Sequence, residues 1–86
     1  MKTEYKFIKF EKAEEERRGN TVIWDCRNKK HDDYLGQAFY YQPWKRWCFE
    51  FNEEAVFSQD CLEDIVHFLG QLNGNPVNNA DFVCSR

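Results

Sequence analysis

The strongest structural signal in the chain lies in residues 35–51, which read LGQAFYYQPWKRWCFEF. This stretch contains seven of the chain's fifteen Phe, Trp and Tyr residues and is interrupted by a Gln42-Pro43 step. Proline supplies the fixed φ that the second position of a common turn favours. We therefore predict two antiparallel strands, over residues 34–41 and 46–51, joined by a tight turn.

Two more strands are predicted upstream, over residues 3–12 and 21–26. In the first, the alternation of apolar and charged residues changes phase near Phe7, and such a change within a strand indicates a bulge. The charged run 14–18 is followed by a glycine, which predicts a solvated hairpin tip.

The hydrophobic period changes after these strands, and one helix is predicted over residues 60–73. Its apolar residues recur at helical spacing and form a single stripe. They are Leu62, Ile65, Val66, Leu69 and Leu72. Ser58 and Asp60 are alternative N-cap residues, because either side chain can accept a hydrogen bond from the first turn. Gly74, followed by Pro76, ends the helix.

The predicted fold class is α+β: an antiparallel meander of four or five strands, covered on one face by a single C-terminal amphipathic helix. Residues 55–57 are the candidate fifth strand. Gly36, inside the third strand, indicates a bulge or a close packing partner. Residues 1–86 are expected to form a single domain, and the tail, 74–86, is predicted either to dock on the core or to fray.

Charge is unevenly distributed along the chain, although the formal net charge is −3. Residues 1–30 carry nine Lys and Arg against six Asp and Glu, whereas residues 31–86 carry three against nine. The acidic C-terminal part argues against a dedicated nucleic-acid-binding domain, which is usually basic. It is consistent with a basic partner, or with two oppositely charged parts that face each other.

The sequence predicts no contact with a membrane. No apolar run approaches the ~20 residues that a spanning helix needs, and no apolar signal-peptide segment occurs at the N-terminus. We expect a cytoplasmic protein, a location in which cysteines stay reduced.

The turn between the third and fourth strands is the first candidate binding surface. It combines rings that can stack on a base or fill a pocket with cations that can bind phosphate or carboxylate. Its residues are Tyr40, Tyr41, Trp44, Lys45, Arg46 and Trp47. Trp44 directly follows the turn proline and is hard to bury completely there. These rings are predicted to be core and sheet packing, a patch for a partner protein, or a surface for single-stranded nucleic acid.

The polar side of the helix is the second candidate surface. It carries Glu63, Asp64 and His67. By default His67 is predicted to be a surface histidine, and it lies where it could pair with Asp64. These residues form either a solvated acidic face or a contact for a basic partner.

The sequence predicts no metal site, no cofactor and no enzymatic activity. The spacings Cys26-x4-His31 and Cys61-x5-His67 lack the C-x2-C pair of a structural zinc site. No Gly-rich phosphate loop, G-x-S-x-G motif or H-E-x-x-H motif occurs.

Residues 22–73 contain a distinctive order of short motifs. They are Trp24, Leu35-Gly36, Phe39 to Tyr41, Pro43-Trp44-Lys45, Trp47-Cys48-Phe49, Cys61-Leu62 and Leu72-Asn73. In this order the chain resembles a family of small uncharacterised proteins of bacteria and their phages. The resemblance implies an accessory protein of a mobile element more than a metabolic enzyme, and it assigns no catalytic residue.

The leading functional hypothesis is a small non-enzymatic interaction module, encoded by a phage or mobile element, that binds a host protein. One version is an inhibitor of a host defence system whose acidic groups mimic nucleic-acid phosphates. The alternatives are single-stranded nucleic-acid binding through the aromatic-basic turn, and a small enzyme or nucleotide-sequestering protein. A monomer or a weak homodimer is expected, because exposed strand edges pair readily.

Overall fold

The computed structural model describes residues 1–18 and 21–74. The predicted hairpin tip at Gly19 and Asn20 lies outside the described residues, as does the predicted tail from residue 75 onward. The predicted α+β class is confirmed, since within the described residues one antiparallel sheet of four strands is followed by one helix. The elements are β1 (Ile8–Arg18), β2 (Thr21–Asn28), β3 (Tyr34–Tyr41), a 3-10 helix (Gln42–Trp44), β4 (Arg46–Phe51) and α1 (Gln59–Asn73).

The strands lie in the order β1-β2-β3-β4, so each strand pairs with its neighbour in the sequence. The candidate fifth strand at residues 55–57 does not form. Instead, the Ala55 N–H donates to the Asn52 carbonyl (3.0 Å) in a turn. The outer edge of β4 is met by the end of α1, where the Asn73 amide accepts from the Trp47 N–H (2.8 Å) and donates to the Trp47 carbonyl (3.2 Å).

The first strand differs from its predicted bounds, 3–12, because β1 begins only at residue 8. The chain reverses direction near Phe7, where the Tyr5 N–H donates to the Ile8 carbonyl (2.9 Å). The phase change near Phe7 therefore marks this reversal rather than a bulge. As a result, the N-terminal residues are brought beside β1 and over α1.

The charged run 14–18 belongs to β1 rather than to a solvated tip. Its pairing with β2 shifts between Ala13 and Arg17, so the bulge lies there. Beyond the shift, Arg18 pairs with Thr21. Glu14 and Arg17 are exposed, and charged side chains suit an edge strand because one of its sides faces solvent.

Gly36 lies where the pairing of β2 with β3 shifts. Its φ is 154°, a conformation that residues with a Cβ atom rarely adopt. A Cβ at this position would lie 2.5 Å from the Glu50 carbonyl oxygen and 2.7 Å from the Phe49 ring. The predicted bulge and close packing partner are both present.

The helix α1 begins one residue earlier than predicted and ends at the predicted residue. Ser58 is the N-cap, and its hydroxyl accepts from the Cys61 N–H (3.2 Å). Asp60 lies in the first turn, where a carboxylate is favoured by the positive end of the helix dipole. At the other end Gly74 has a φ of 75°, and its N–H donates to the Gln71 carbonyl (3.3 Å).

The main core lies between α1 and one face of the sheet. Its buried residues are Tyr5, Ile8, Phe10, Cys26, Ala38, Ile65 and Phe68. The rings of Phe10 and Phe68 stack with their centroids 3.8 Å apart and their planes 4° apart. Large rings of this kind fill a small core with few residues.

The opposite face of the sheet carries a second, smaller apolar cluster. Strand alternation turns Ile23 and Phe39 away from α1, and both residues are buried on this opposite face. The Arg18 guanidinium covers the Phe39 ring at 3.7 Å from its centroid, and it donates to the side chains of Gln37 and Glu50. The second half of β1 thus shields this face near its bulge.

Candidate functional site

The turn between β3 and β4 is a single turn of 3-10 helix. Pro43 stands in its first turn, where the missing N–H costs nothing and the fixed φ is favourable. Lys45 closes the turn with a left-handed φ of 52°, and its N–H donates to the Gln42 carbonyl (3.0 Å). This backbone holds the side chains on either side of Pro43 in defined positions.

Trp44 is the most exposed aromatic residue of this turn. Trp44 remains 62% exposed, as expected for a residue that directly follows the turn proline. Among residues 1–18 and 21–74, its one ring contact is with Tyr41, edge-on, with the centroids 5.1 Å apart. Tyr41 in turn packs edge-on against the buried Phe39 (6.1 Å). The indole is thus positioned from one side and open to solvent on the others.

Lys45 and Arg46 place two positive charges beside this indole. Both side chains are exposed, and within residues 1–18 and 21–74 neither forms a salt bridge. We refer to Tyr41, Trp44, Lys45 and Arg46 together as the Trp44 turn. An exposed indole with two uncompensated cations suits a partner that offers an apolar pocket near negative charge.

Tyr40 and Trp47, two other residues predicted for this surface, are separated from it. They are register partners on β3 and β4, and their rings meet edge-on at 6.0 Å. Strand alternation places them on the face of the sheet that α1 covers, opposite Tyr41. Both are half-buried, so they support the hairpin rather than extend the Trp44 turn.

The second candidate surface is a cleft of about 510 Å³ that runs along the first half of α1. It brings together the three predicted helix residues, Glu63, Asp64 and His67. The remaining lining residues are Lys2, Tyr5, Gln59, Leu62 and Val66. We refer to this set as the acidic cleft.

The hydrogen bond of His67 connects α1 to the N-terminal segment rather than to Asp64. The Tyr5 hydroxyl lies 2.8 Å from His67 Nδ1. The Gln71 amide donates to the same hydroxyl oxygen at 3.5 Å. The Tyr5 hydroxyl thus links His67 and Gln71 of α1 to the N-terminal segment.

The backbone of Lys2 is also fixed on α1. The Lys2 N–H donates to Gln71 Oε1 (2.8 Å), and Gln71 Nε2 donates to the Lys2 carbonyl (2.8 Å). The Lys2 ammonium lies 4.8 Å from the centroid of the Tyr5 ring. The sequence did not assign Lys2 and Tyr5 to this site, because only the reversal of the chain near Phe7 brings these two residues to α1.

Burial perturbs two acids of the acidic cleft in the same direction. It raises the pKa of Tyr5 to about 12, and the nearby charge of Asp64 adds to this rise. Burial also raises the pKa of Asp64 above its ordinary range, while the positive charge of Lys2 opposes the rise. The cleft therefore disfavours additional negative charge.

We expect the protein to lose stability at alkaline pH, in a range set by Tyr5 and Cys26. Burial raises the pKa of the Cys26 thiol from 9 to about 12, and that of Tyr5 rises from 10 to about 12. Because both folded-state pKa values are raised, the stabilisation is complete below pH 9 and is lost as the pH rises towards 12. The Tyr5 part is on the order of 1–3 kcal/mol.

Urea unfolding at a series of pH values measures this loss. Tyr5→Phe should show a shallower decline between pH 10 and 12 than the wild type, whereas the control Tyr41→Phe, at a more exposed hydroxyl, should keep the wild-type decline. Equal declines in Tyr5→Phe and the wild type would show that Tyr5 ionises as easily in the folded state as in the unfolded state.

Comparison of this chain with protein-family models, with curated proteins and with solved structures gives no match. In the part of the chain that the structure describes, no group of three or more His, Cys, Asp and Glu side chains could hold a metal ion. Nor does any helix within those residues have the length and apolar character needed to cross a bilayer.

Proposed function

We propose that this chain is a small non-enzymatic binding module that holds a partner protein through the Trp44 turn. The observation that carries the proposal is the exposure of Trp44, which is 62%, on a backbone fixed by Pro43 and the left-handed Lys45. Trp and Arg are enriched among the residues that dominate binding energies. A pre-positioned indole also loses little conformational entropy when it is buried by a partner.

The charges of the Trp44 turn indicate the partner's chemistry. Lys45 and Arg46 have no salt bridge among the described residues, so a partner can neutralise them without breaking an existing pair. The matching surface is an apolar pocket with acidic residues at its rim. The resemblance to bacterial and phage proteins favours a host protein in the bacterial cytosol, such as a component of a defence system.

Affinity capture followed by measurement on purified proteins tests this proposal. Wild-type protein and Trp44→Ala are immobilised, a bacterial lysate is passed over both, and a protein retained only by the wild type is purified. Isothermal titration calorimetry then gives its dissociation constant. We expect Trp44→Ala to weaken binding by at least about 30-fold, as for a dominant interface residue, with no change in thermal unfolding.

Two double variants, each of which removes two positive charges, distinguish binding at the Trp44 turn from general electrostatic attraction. Lys45→Ala/Arg46→Ala should weaken binding, whereas Lys29→Ala/Lys30→Ala, which removes two cations from the opposite end of β3, should not. Equal affinities of Trp44→Ala and the wild type for every retained protein would overturn the proposal.

Single-stranded nucleic acid is the second candidate ligand. It is favoured by the same pairing of exposed rings with uncompensated cations, since bases stack on aromatic side chains and phosphates bind Lys and Arg. Titration with a thymidine oligonucleotide distinguishes the two ligands. Saturable, salt-sensitive quenching of fluorescence that is lost in Trp44→Phe would support nucleic acid in place of a protein partner.

A further inference from the structure

The acidic cleft has features of a second binding site, separate from the Trp44 turn. It lies along the first half of α1, whereas the hairpin that carries the turn is attached to Asn73, the last residue of α1. Its volume, about 510 Å³, lies in the usual range of roughly 300–1,000 Å³ for ligand sites. The two sites can therefore be tested independently.

The walls of the cleft combine apolar surface, ring faces and carboxylates. Leu62 and Val66 are 41% and 42% exposed along its side, and they supply the apolar part of its surface. The Tyr5 and His67 rings meet edge-on at 5.6 Å. Glu63 supplies an exposed carboxylate, and its only hydrogen bond among the described side chains is from Gln59 Nε2 (3.0 Å).

The chain's own Lys2 shows which kind of group this cleft accommodates. Its ammonium lies over the Tyr5 ring at 4.8 Å, and its positive charge acts on Asp64. A cation in this position is attracted both by the ring face and by the carboxylate. Because the Lys2 backbone is held by Gln71, its side chain can move away without release of the N-terminal segment.

The net charge of the cleft favours a cation that binds more strongly than Lys2. Two carboxylates, those of Glu63 and Asp64, face the single positive charge of Lys2, and Asp60 adds to the negative potential at Asp64. A flexible lysine side chain loses conformational entropy when it is held in one position. A guest cation that binds a carboxylate through two hydrogen bonds can therefore displace it.

We propose that the acidic cleft binds an arginine side chain presented by a partner protein. The guanidinium pairs with Asp64 and Glu63 and lies against the Tyr5 ring in place of the Lys2 ammonium, while the aliphatic stem runs along Leu62 and Val66. Arginine is favoured over lysine because its planar fork binds carboxylates through two hydrogen bonds and stacks on aromatic rings.

Titration of the 15N-labelled protein with three short blocked peptides tests this inference. The peptides differ only in a central arginine, lysine or citrulline, and citrulline keeps the shape of arginine without its charge. We expect saturable shifts of His67 and neighbouring residues with the arginine peptide, weaker shifts with the lysine peptide and none with the citrulline peptide. Equal binding of the citrulline peptide would overturn the proposal.

Variants assign the binding to the cleft. Asp64→Asn, which keeps the side-chain shape, should weaken binding of the arginine peptide by about tenfold or more, the loss typical of one charge-assisted hydrogen bond. Lys2→Ala should strengthen binding, because it removes the competing ammonium. A weaker interaction in Lys2→Ala would contradict the proposed displacement.

Two controls keep this test separate from that of the Trp44 turn. Glu53→Gln/Glu54→Gln removes two exposed carboxylates outside the cleft and should leave binding of the peptide unchanged. Trp44→Ala should also leave it unchanged. Loss of peptide binding in Trp44→Ala, with Asp64→Asn unaffected, would assign the arginine to the turn instead and overturn the cleft proposal.

Discussion

Replacing Phe68 by alanine is expected to lower the free energy of unfolding by about 3–5 kcal/mol, the usual cost of truncating a buried Phe. The Phe68 side chain is fully buried, stacks on Phe10 with the centroids 3.8 Å apart, and meets Trp24 edge-on at 5.3 Å. Its removal leaves a cavity between α1 and the sheet, which stiff neighbouring rings cannot easily fill. Domains of this length have a total stability of only about 4–13 kcal/mol.

Equilibrium unfolding in urea, followed by circular dichroism, measures this loss. The matched control is Leu62→Ala, on the same helix, because the Leu62 side chain is 41% exposed. We expect the control to cost about 1 kcal/mol or less, as exposed substitutions usually do. A similar loss of unfolding free energy in both variants would contradict the packing of Phe68 against Phe10 in the core.

Replacing Gly36 by alanine is expected to cost about 3–5 kcal/mol, because backbone strain and overpacking occur together. The φ of Gly36 is 154°. The added Cβ would approach the Glu50 carbonyl oxygen to 2.5 Å and the Phe49 ring to 2.7 Å. The Glu50 contact is with the backbone of β4, so relief requires a shift of the whole strand and not only of a side chain.

Gly74→Ala is the control that separates strain from overpacking. Gly74 also has a positive φ, 75°, but among the described residues a Cβ there would meet no atom within 4 Å. Only the left-handed conformation is then penalised, at about 1 kcal/mol. If Gly36→Ala proved no more destabilising than Gly74→Ala in the same urea experiment, the close approach of β3 and β4 at Gly36 would be refuted.

The local parts of the fold could be predicted from the sequence because their causes are local. The apolar stripe, Ser58 and Gly74 fix α1 to within one residue. Pro43 places the turn between β3 and β4. Gly36 marks a bulge because few other residues fit its backbone.

The course of the first strand could not be predicted in the same way. The apolar–charged alternation changes phase near Phe7, and either a bulge or a reversal of the chain produces such a change. Only the pairing between the N-terminal residues and β1 distinguishes these two causes. The charged run 14–18 continues β1 because it pairs with β2 at an edge of the sheet. Sequence composition gave no sign of that pairing.

The two candidate sites differ in the same way, since one depends on local sequence and the other on contacts between distant residues. The exposure of Trp44 follows from its position after Pro43, and the separation of Tyr40 from Tyr41 follows from strand alternation. The acidic cleft needs Tyr5 beside His67, which lie 62 residues apart in the sequence. Only the folded structure shows that Glu63, Asp64 and His67 share a cleft with Lys2 and Tyr5.

Acrylamide quenching of tryptophan fluorescence tests most directly whether Trp44 is the ring presented to a partner. The chain has three tryptophans, Trp24, Trp44 and Trp47, and the other two are half-buried. We predict that Trp44→Phe removes most of the readily quenched fluorescence and leaves a shallow quenching curve from Trp24 and Trp47. An unchanged quenching curve in Trp44→Phe would mean that Trp44 is packed against the rest of the protein, and it would contradict the proposed binding surface.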